Sequence, residues 1–469
     1  MIIKPIEDKK EWEEFVQKQS FYTFINSWDW GEFNELMGSK IFRIGFYEGD
    51  RLEGLALVIK IEARRGTHLF CPYGPMFEEQ RGQTPSKACL RRQGVRPRFE
   101  AYFNKLKEIL PELIKLAKKE DACFLRIHPT VCCDSGRDGA MLRLYNGQGV
   151  VGELSPCRDG AVPRLVNLRN PKDAQREQVV QAGCSVSGFR PAPIHVHAED
   201  TWLLDLARSA KMDEGSKRDC DCALKTSPLP PPLKRGDFID DEELLANMRK
   251  TTRYMIKRAI KEGVMVEKNN SEEYIDKFID MHKKHSSRER GSYTAFSDNY
   301  IKNLFKVFPE GDINLMYAEY EKPHPNPLLI KEREQDVQYR PNPNPNPLIV
   351  KEREIEAMLV SIKYGKTTAY YLGASDIKHP KFSPAYLLQW EAIKKAREAG
   401  CTVYNFWGVA PDVNPSHPLA GVTLFKKGFG GYDYKIMHAQ DMPLSSKYWL
   451  NWAVESMRRV RRGYYYKKF

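Results

Sequence analysis

The residues best equipped for chemistry lie between Tyr370 and Gly431, in the runs YYLGAS, YNFWGVAP and HPLAGVTLFKKGFGG. In Phe425-Lys426-Lys427-Gly428-Phe429-Gly430-Gly431, two lysines adjoin a glycine-punctuated loop where bare backbone lets a ligand come close. An ammonium group there could neutralise a diphosphate, or the oxyanion that develops during acyl transfer. A second set of cations, Lys250, Arg253, Lys257 and Lys261, recurs at i, i+3, i+7 and i+11. On a helix all four share one face, which is either a solvated surface or a phosphate-binding ridge. Asp376, Asp412 and His417 flank the motif loops as candidate proton acceptors, and nothing in their spacing ranks them.

The elements that must position these groups follow from periodicity. YYLGAS reads as a strand and turn, FSPAYLLQWEAIKKAREAG as an amphipathic helix closed by Gly400, and CTVYNFWGVAP as a buried strand ending in a loop. Strand–helix–strand units present ligand-facing residues at strand ends. DDEELLANMRKTTRYMIKRAIKEG reads as one helix, capped by Asp240 or Asp241 and closed by Gly263. Its expected buried stripe is Leu244, Leu245, Met248, Met255, Ile256, Ala259 and Ile260. Upstream, EDKKEWEEFVQK and WDWGEFNELMG read as short helices, and the stretch from Ile41 to Phe77 as strands around a Glu-Gly-Asp turn. FEAYFNKLKEILPELIKLAKKE follows as a helix and CFLRIH as a strand. This order predicts an α/β chain with mixed α+β sheets.

Bulk properties set the outer bounds. A chain of 469 residues, 41% of them apolar, is too long for one ordinary domain. A formal charge of +12 favours anionic partners such as nucleic acid, phosphorylated metabolites or an anionic membrane surface. The start, MIIKPIEDKKEWEEF, is charged within a few residues, and no window approaches the roughly 18 apolar residues of a membrane span, so a cytoplasmic location is expected. Among ten cysteines no CxxC pair occurs and no histidine completes a zinc spacing, so neither a metal site nor a disulfide framework is expected.

Three stretches interrupt the pattern. Residues 81–98 and 131–180 lack sustained periodicity, and 208–240 ends in the proline-rich SPLPPPLKRGDF. Residues 322–354 hold PNPLLIKERE (Pro325–Glu334) and its near copy PNPLIVKERE (Pro345–Glu354). Two copies are too few for a solenoid, and all of these stretches read as surface insertions.

FINSWDWGEF, LFCPYGPMF, FRPAPIHVHAEDTWLLDL, MRKTTRYMIKRAIKEGV, YYLGAS, YNFWGVAP and HPLAGVTLFKKGFGG occur in an order that resembles the FemA/FemB/FemX (FemABX) peptidoglycan-bridge aminoacyltransferases. Insertions apart, the resemblance runs nearly the length of the chain. It implies two tandem GNAT-like acyltransferase domains: residues 1–207, to which the C-terminal helix 443–469 returns, and residues 241–442. Long coiled-coil arms, present in some relatives, have no sustained heptad here. The implied reaction is attack of an amine of a peptidoglycan precursor on an aminoacyl-tRNA ester, with the ribose oxygen leaving. The precursor would be lipid II or the soluble UDP-MurNAc-peptide. No cofactor is implied beyond aminoacyl-tRNA as co-substrate, and a monomer is expected.

Residue by residue, the resemblance gives Lys426 after Phe425 the role of stabilising transition-state charge or gripping phosphate. It makes Arg253 and Lys257 contacts to precursor phosphate, and Trp30 and Tyr73 lining of the acceptor cleft. Asn34 stands where the tryptophan-rich helix often bears a basic residue facing the diphosphate, and Tyr371 and Phe425 join as substrate contacts. Two rival readings remain. The first is an acyl-CoA-dependent N-acyltransferase, opposed by Phe425 standing where the pyrophosphate loop needs a basic or amide side chain. The second is a non-catalytic tRNA- or membrane-binding relative. The C-terminal run SKYWLNWAVESMRRVRRGYYYKKF carries Trp449, Trp452, Ala453 and Val460 on one side with cations beyond. It reads as a packed closing helix or as a peripheral contact with the inner face of the plasma membrane.

Overall fold

A computed structural model describes residues 1–78, 96–131, 188–194, 196–208, 238–288, 295–321, 353–376, 378–379, 383–410 and 417–461. Asp412, the first PNPLLIKERE copy, most of the second, nearly all of 131–180 and the tail beyond Arg461 lie outside these residues.

Strand β1 (Ile2–Pro5) leads into helix α1 (Lys9–Gln17), where the Asp8 carboxylate accepts from the Lys10 N–H and Trp12, Phe15 and Val16 turn inward. A 3-10 turn, Phe24–Asn26, is closed by reciprocal Thr23 and Asn26 caps, and Ser27 caps helix α2 (Trp28–Leu36). β2 (Ile41–Glu48) and β3 (Arg51–Ile61) form the expected hairpin about Gly49, whose φ of 60 suits glycine. β4 (His68–Cys71), β5 (Met76–Phe77), α3 (Arg96–Lys119), β6 (Phe124–Ile127) and β7 (Arg190–Pro191) follow. The first sheet runs β1-β2-β3-β4-β6, then a late strand β15 (Gln440–Pro443), then β7, with β5 on β3. Only the β4–β6 pairing among those resolved strand by strand is parallel. α3 covers it with Tyr102, Leu106, Ile109, Leu113 and Ala117, a stripe at helical spacing against Val58, Leu69 and Leu125.

After β8 (Asp200–Asp205) the expected single helix is two: α4 (Asp241–Asn247) and α5 (Lys250–Lys261). Met248 and Arg249 between them are extended. The break has local causes. Met248 is drawn into the core, the Arg249 N–H leaves the helix for the Gly428 carbonyl at 2.9 Å, and the Arg253 guanidinium caps the end of α4 through the Leu245 and Ala246 carbonyls. The buried stripe is accordingly narrower than its sequence suggests: Leu244, Met248, Ile256 and Ala259 are buried, while Ile260 is 58% exposed.

β9 (Met265–Lys268), α6 (Glu272–Arg288), α7 (Asp298–Val307), β10 (Ile313–Glu321), β11 (Arg353–Tyr364), β12 (Thr367–Ser375), α8 (Pro384–Glu398), β13 (Val403–Gly408), α9 (Ala420–Lys427) and β14 (Tyr432–Lys435) complete this region. β15 and helix α10 (Lys447–Arg461) close the described chain. The second sheet runs β14-β8-β13-β12-β11-β10-β9 and is mixed, with β12–β13 parallel and β9 to β12 antiparallel. The expected mixed α/β class is therefore the one observed. Two compact units result: Met1–Trp202 with Gly408–Thr423 and Asp433–Phe469, and Leu203–Trp407 with Leu424–Tyr432. No described helix is long and apolar enough to cross a membrane.

Candidate functional site

Lys426 sits in the last turn of α9, so the lysines of FKKGFGG belong to a helix and not to the loop expected. Cations there suit the negative end of the helix dipole. The Lys426 side chain is nevertheless buried, and burial lowers its pKa from 10.5 to about 7. Its Nζ lies over the Tyr370 ring, 5.5 Å from the centroid. Burial in turn raises the Tyr370 hydroxyl to about 12, so it stays protonated. Phe425 and Phe429 wedge the helix in place: Phe425 meets Tyr386 at 5.0 Å and Phe429 at 5.2 Å, both edge-on, and Phe429 also meets Phe406 at 5.6 Å.

A backbone irregularity aims Tyr370. Val360 pairs with Leu372 and Ser361 with Tyr370, which leaves Tyr371 as an extra, bulged residue in β12. In a regular strand, Tyr370 and Gly373 would face opposite sides. The bulge puts them on one side, and a Cβ built on Gly373 would collide with the Tyr370 hydroxyl. The YYLG spacing is thus a bulge plus the vacancy that its tyrosine fills. Tyr371 itself joins an aromatic group: its hydroxyl is 2.5 Å from that of Tyr300, and Trp407 meets its ring edge-on at 5.6 Å. Trp407 holds a φ of 65, a left-handed conformation that is strained for a bulky side chain.

The turn after α9 is anchored on α5. The Gly428 carbonyl accepts from Arg249, and a Cβ on Gly428 would run into Thr252 Oγ1. Glycine is required there by close backbone approach. This contact brings α5, with Arg253 and Lys257, beside the end of α9. Arg253 spends one guanidinium nitrogen on the Ala246 carbonyl at 3.1 Å, whereas Lys257 is exposed. Lys426, Phe425, Tyr371, Arg253 and Lys257 all belong to the second unit.

Trp30, Asn34 and Tyr73 belong to the first. Trp30 is buried, stacked on Phe33 at 4.9 Å, and its indole N–H has no hydrogen-bond partner among the described residues. Asn34 turns its amide back onto the Trp30 carbonyl at 2.7 Å. A cation does reach this helix, from β2: the Arg43 guanidinium packs 3.9 Å from the Trp28 ring centroid and donates to the Trp28 carbonyl at 3.2 Å. It occupies the space a side chain at Gly31 would need. Sequence reasoning missed Arg43 because strand and helix are adjacent only in the fold. Tyr73 is fully buried at a φ of 44, donates to the Ala198 carbonyl at 2.6 Å, and packs near the rings of His128 (4.8 Å) and His197 (5.5 Å). Burial lowers His197 to about 4, which keeps it neutral. Among the proton acceptors considered, His417 Nδ1 accepts the Leu419 N–H at 3.1 Å, ahead of α9, and the Asp376 N–H donates to the Glu356 carbonyl at 2.9 Å.

Residues 233–332 and 350–456 match the model of the FemAB family, segments that hold α4, α5, β12, β13 and α9. A lipid II:glycine glycyltransferase of Staphylococcus epidermidis is 25% identical over 226 residues, 41% of this chain and 53% of that protein. The aminoacyltransferase FemA of the same species is 38% identical over 60 residues, 13% and 14% of the two chains. Over the first of these matches the chain spans about half the length of its curated relative. The crystal structure of FemX superposes with a TM-score of 0.58 at 18% identity, covering 97% of this chain and all of that one, which shows a shared fold. Through residues 233–332 and 350–456, this chain is similar to the FemAB family.

Proposed function

We propose that the protein is an aminoacyltransferase of cross-bridge synthesis, moving an amino acid from aminoacyl-tRNA to an amine of a peptidoglycan stem peptide carried on lipid II. The observation that carries this reading is Lys426: a buried amine with a pKa near 7, inside a family-matched segment and aimed by a bulge-set tyrosine. Burial disfavours the cationic form of such a group. An incoming phosphate or a developing oxyanion raises its pKa and completes its protonation, so its charge appears where the reaction needs it. The acceptor amine attacks the ester carbonyl, a C–N bond forms, the C–O bond to the tRNA ribose breaks, and the proton shed by the amine passes to the leaving oxygen or to water.

The names of the relatives support the substrate class, since one is a lipid II:glycine glycyltransferase and another an aminoacyltransferase. The formal charge of +12 suits two polyanionic substrates. Peripheral contact with the inner membrane face, where lipid II is displayed, is supported by α10: Trp449, Leu450, Trp452, Met457 and Val460 are all exposed, with Arg458 and Arg461 beside them.

The test is to incubate the purified protein with a pool of charged tRNAs and lipid II and to weigh the lipid product by mass spectrometry. A gain of one or more amino-acid residues is expected. Transfer from acyl-CoA alone, or tRNA binding without transfer, would overturn the reading.

A further inference from the structure

A group outside the Lys426 site has the chemistry of a metal centre. In the β10–β11 hairpin, Ala318 pairs with Ala357 and Glu319 with Ile355, so Glu356 is a bulged residue on β11. Its carboxylate is 1% exposed. Oε1 accepts the His379 backbone N–H at 3.1 Å and stands 2.6 Å from His379 Nδ1. Oε2 is buried and has no hydrogen-bond partner among the described residues. An oxygen with formal negative charge and no donor is costly in the protein interior, and a bound cation is one way to satisfy it.

The surroundings supply the other ligands. One donor atom each from Glu354, Glu356 and His379 lie within 4.8 Å of one another. Donors at about 2.0–2.2 Å from a shared ion stand roughly 3–4 Å apart, so small side-chain rotations close the set. The Tyr320 hydroxyl lies 2.5 Å from His379 Nδ1 and 3.1 Å from Nε2, a polar partner that holds the imidazole in place. His379 is 42% exposed at its side chain and Glu354 17%, which gives an ion a route in and leaves a position for water. Lys378, now paired with Glu354, is the cation that the ion would displace.

We propose that Glu354, Glu356 and His379 bind a divalent transition-metal ion. One imidazole with two carboxylates suits Zn2+ or Mn2+ better than Ca2+, which takes oxygen ligands. The ion would fasten the start of β11 to the segment that follows β12, and this assignment is independent of the transferase reading.

The experiment is calorimetric titration of the full chain, first stripped with chelator, with Zn2+ and separately with Mn2+, alongside thermal denaturation. One equivalent bound to wild type, with a raised Tm and at least a tenfold affinity loss in Glu356→Gln and His379→Gln, is the expected result. Failure of wild type to bind either metal, or undiminished binding by both variants, overturns the proposal. Should the variants not fold, Co2+ loaded into wild type reads the ligand set directly. Bands and X-ray absorption showing one imidazole with oxygen donors support it, and sulfur ligation or oxygen donors alone refute it.

Discussion

Lys426 holds an amine where charge is penalised, and that penalty can be measured separately from catalysis. Unfolded, the amine titrates near 10.5, and folded near 7. Below about pH 7 both states bind the proton and the folded state bears the full desolvation cost. Between 7 and 10.5 only the unfolded state still binds it, so stability rises with pH across that window. Lys426→Met is therefore expected to raise Tm below pH 7, by a few kcal/mol of stability, and to lose this advantage as pH nears 10.5; a pH series of thermal melts checks it. The same variant should lose on the order of 10²–10³ in transfer rate with its circular dichroism unchanged. In wild type, kcat/KM for transfer should fall as pH rises through about 7, because the working form proposed for Lys426 is the cation. A rate that rises instead would make Lys426 a base. The motif around this residue was legible in the sequence. Its burial over Tyr370 was not, because nothing in the spacing of YYLGAS reveals that Tyr371 is bulged.

At the scale of elements, two glycines carry the geometry. Gly373→Ala should push Tyr370 off its seat, destabilising the fold by about 1–3 kcal/mol and lowering transfer without touching a substrate group. Urea unfolding and the transfer assay read the two effects. Gly428→Ala forces α9 away from α5 through Thr252 Oγ1, and Thr252→Ala in the same chain should restore part of the lost stability, since it removes the atom struck. A double-mutant cycle measures that coupling. Helices, strands and the mixed class followed from periodicity and capping residues. The division of α4 from α5 did not, because 3.6-residue periodicity continues through Met248 and Arg249. What interrupts it is a carbonyl on Gly428, distant in sequence and therefore silent in any local pattern.

At the scale of the molecule, Arg126 on β6 binds Asp441 on β15 through two bonds of 2.6 and 2.8 Å and Glu455 on α10 at 2.8 Å. The triad is buried and joins partners 315 and 329 residues apart, which no sequence window could pair. It explains why α10 turns Tyr448, Asn451 and Glu455 inward and leaves its tryptophans outside. Arg126→Met strands two carboxylates and should cost about 3–5 kcal/mol in denaturant unfolding. Elsewhere positions distant in sequence touch: Ala207 bridges Phe238, and Glu321 pairs with Arg353. Each contact closes a stretch of chain between two touching ends. Lengthening or shortening such a passage alters closure entropy by only about 0.6 kcal/mol per doubling. The architecture is therefore tolerant of trespass. A reporter or a short linker inserted between residues 208 and 238, or between 321 and 353, is expected to leave the described fold intact, which makes these two contacts natural places for a lineage, or an engineer, to experiment.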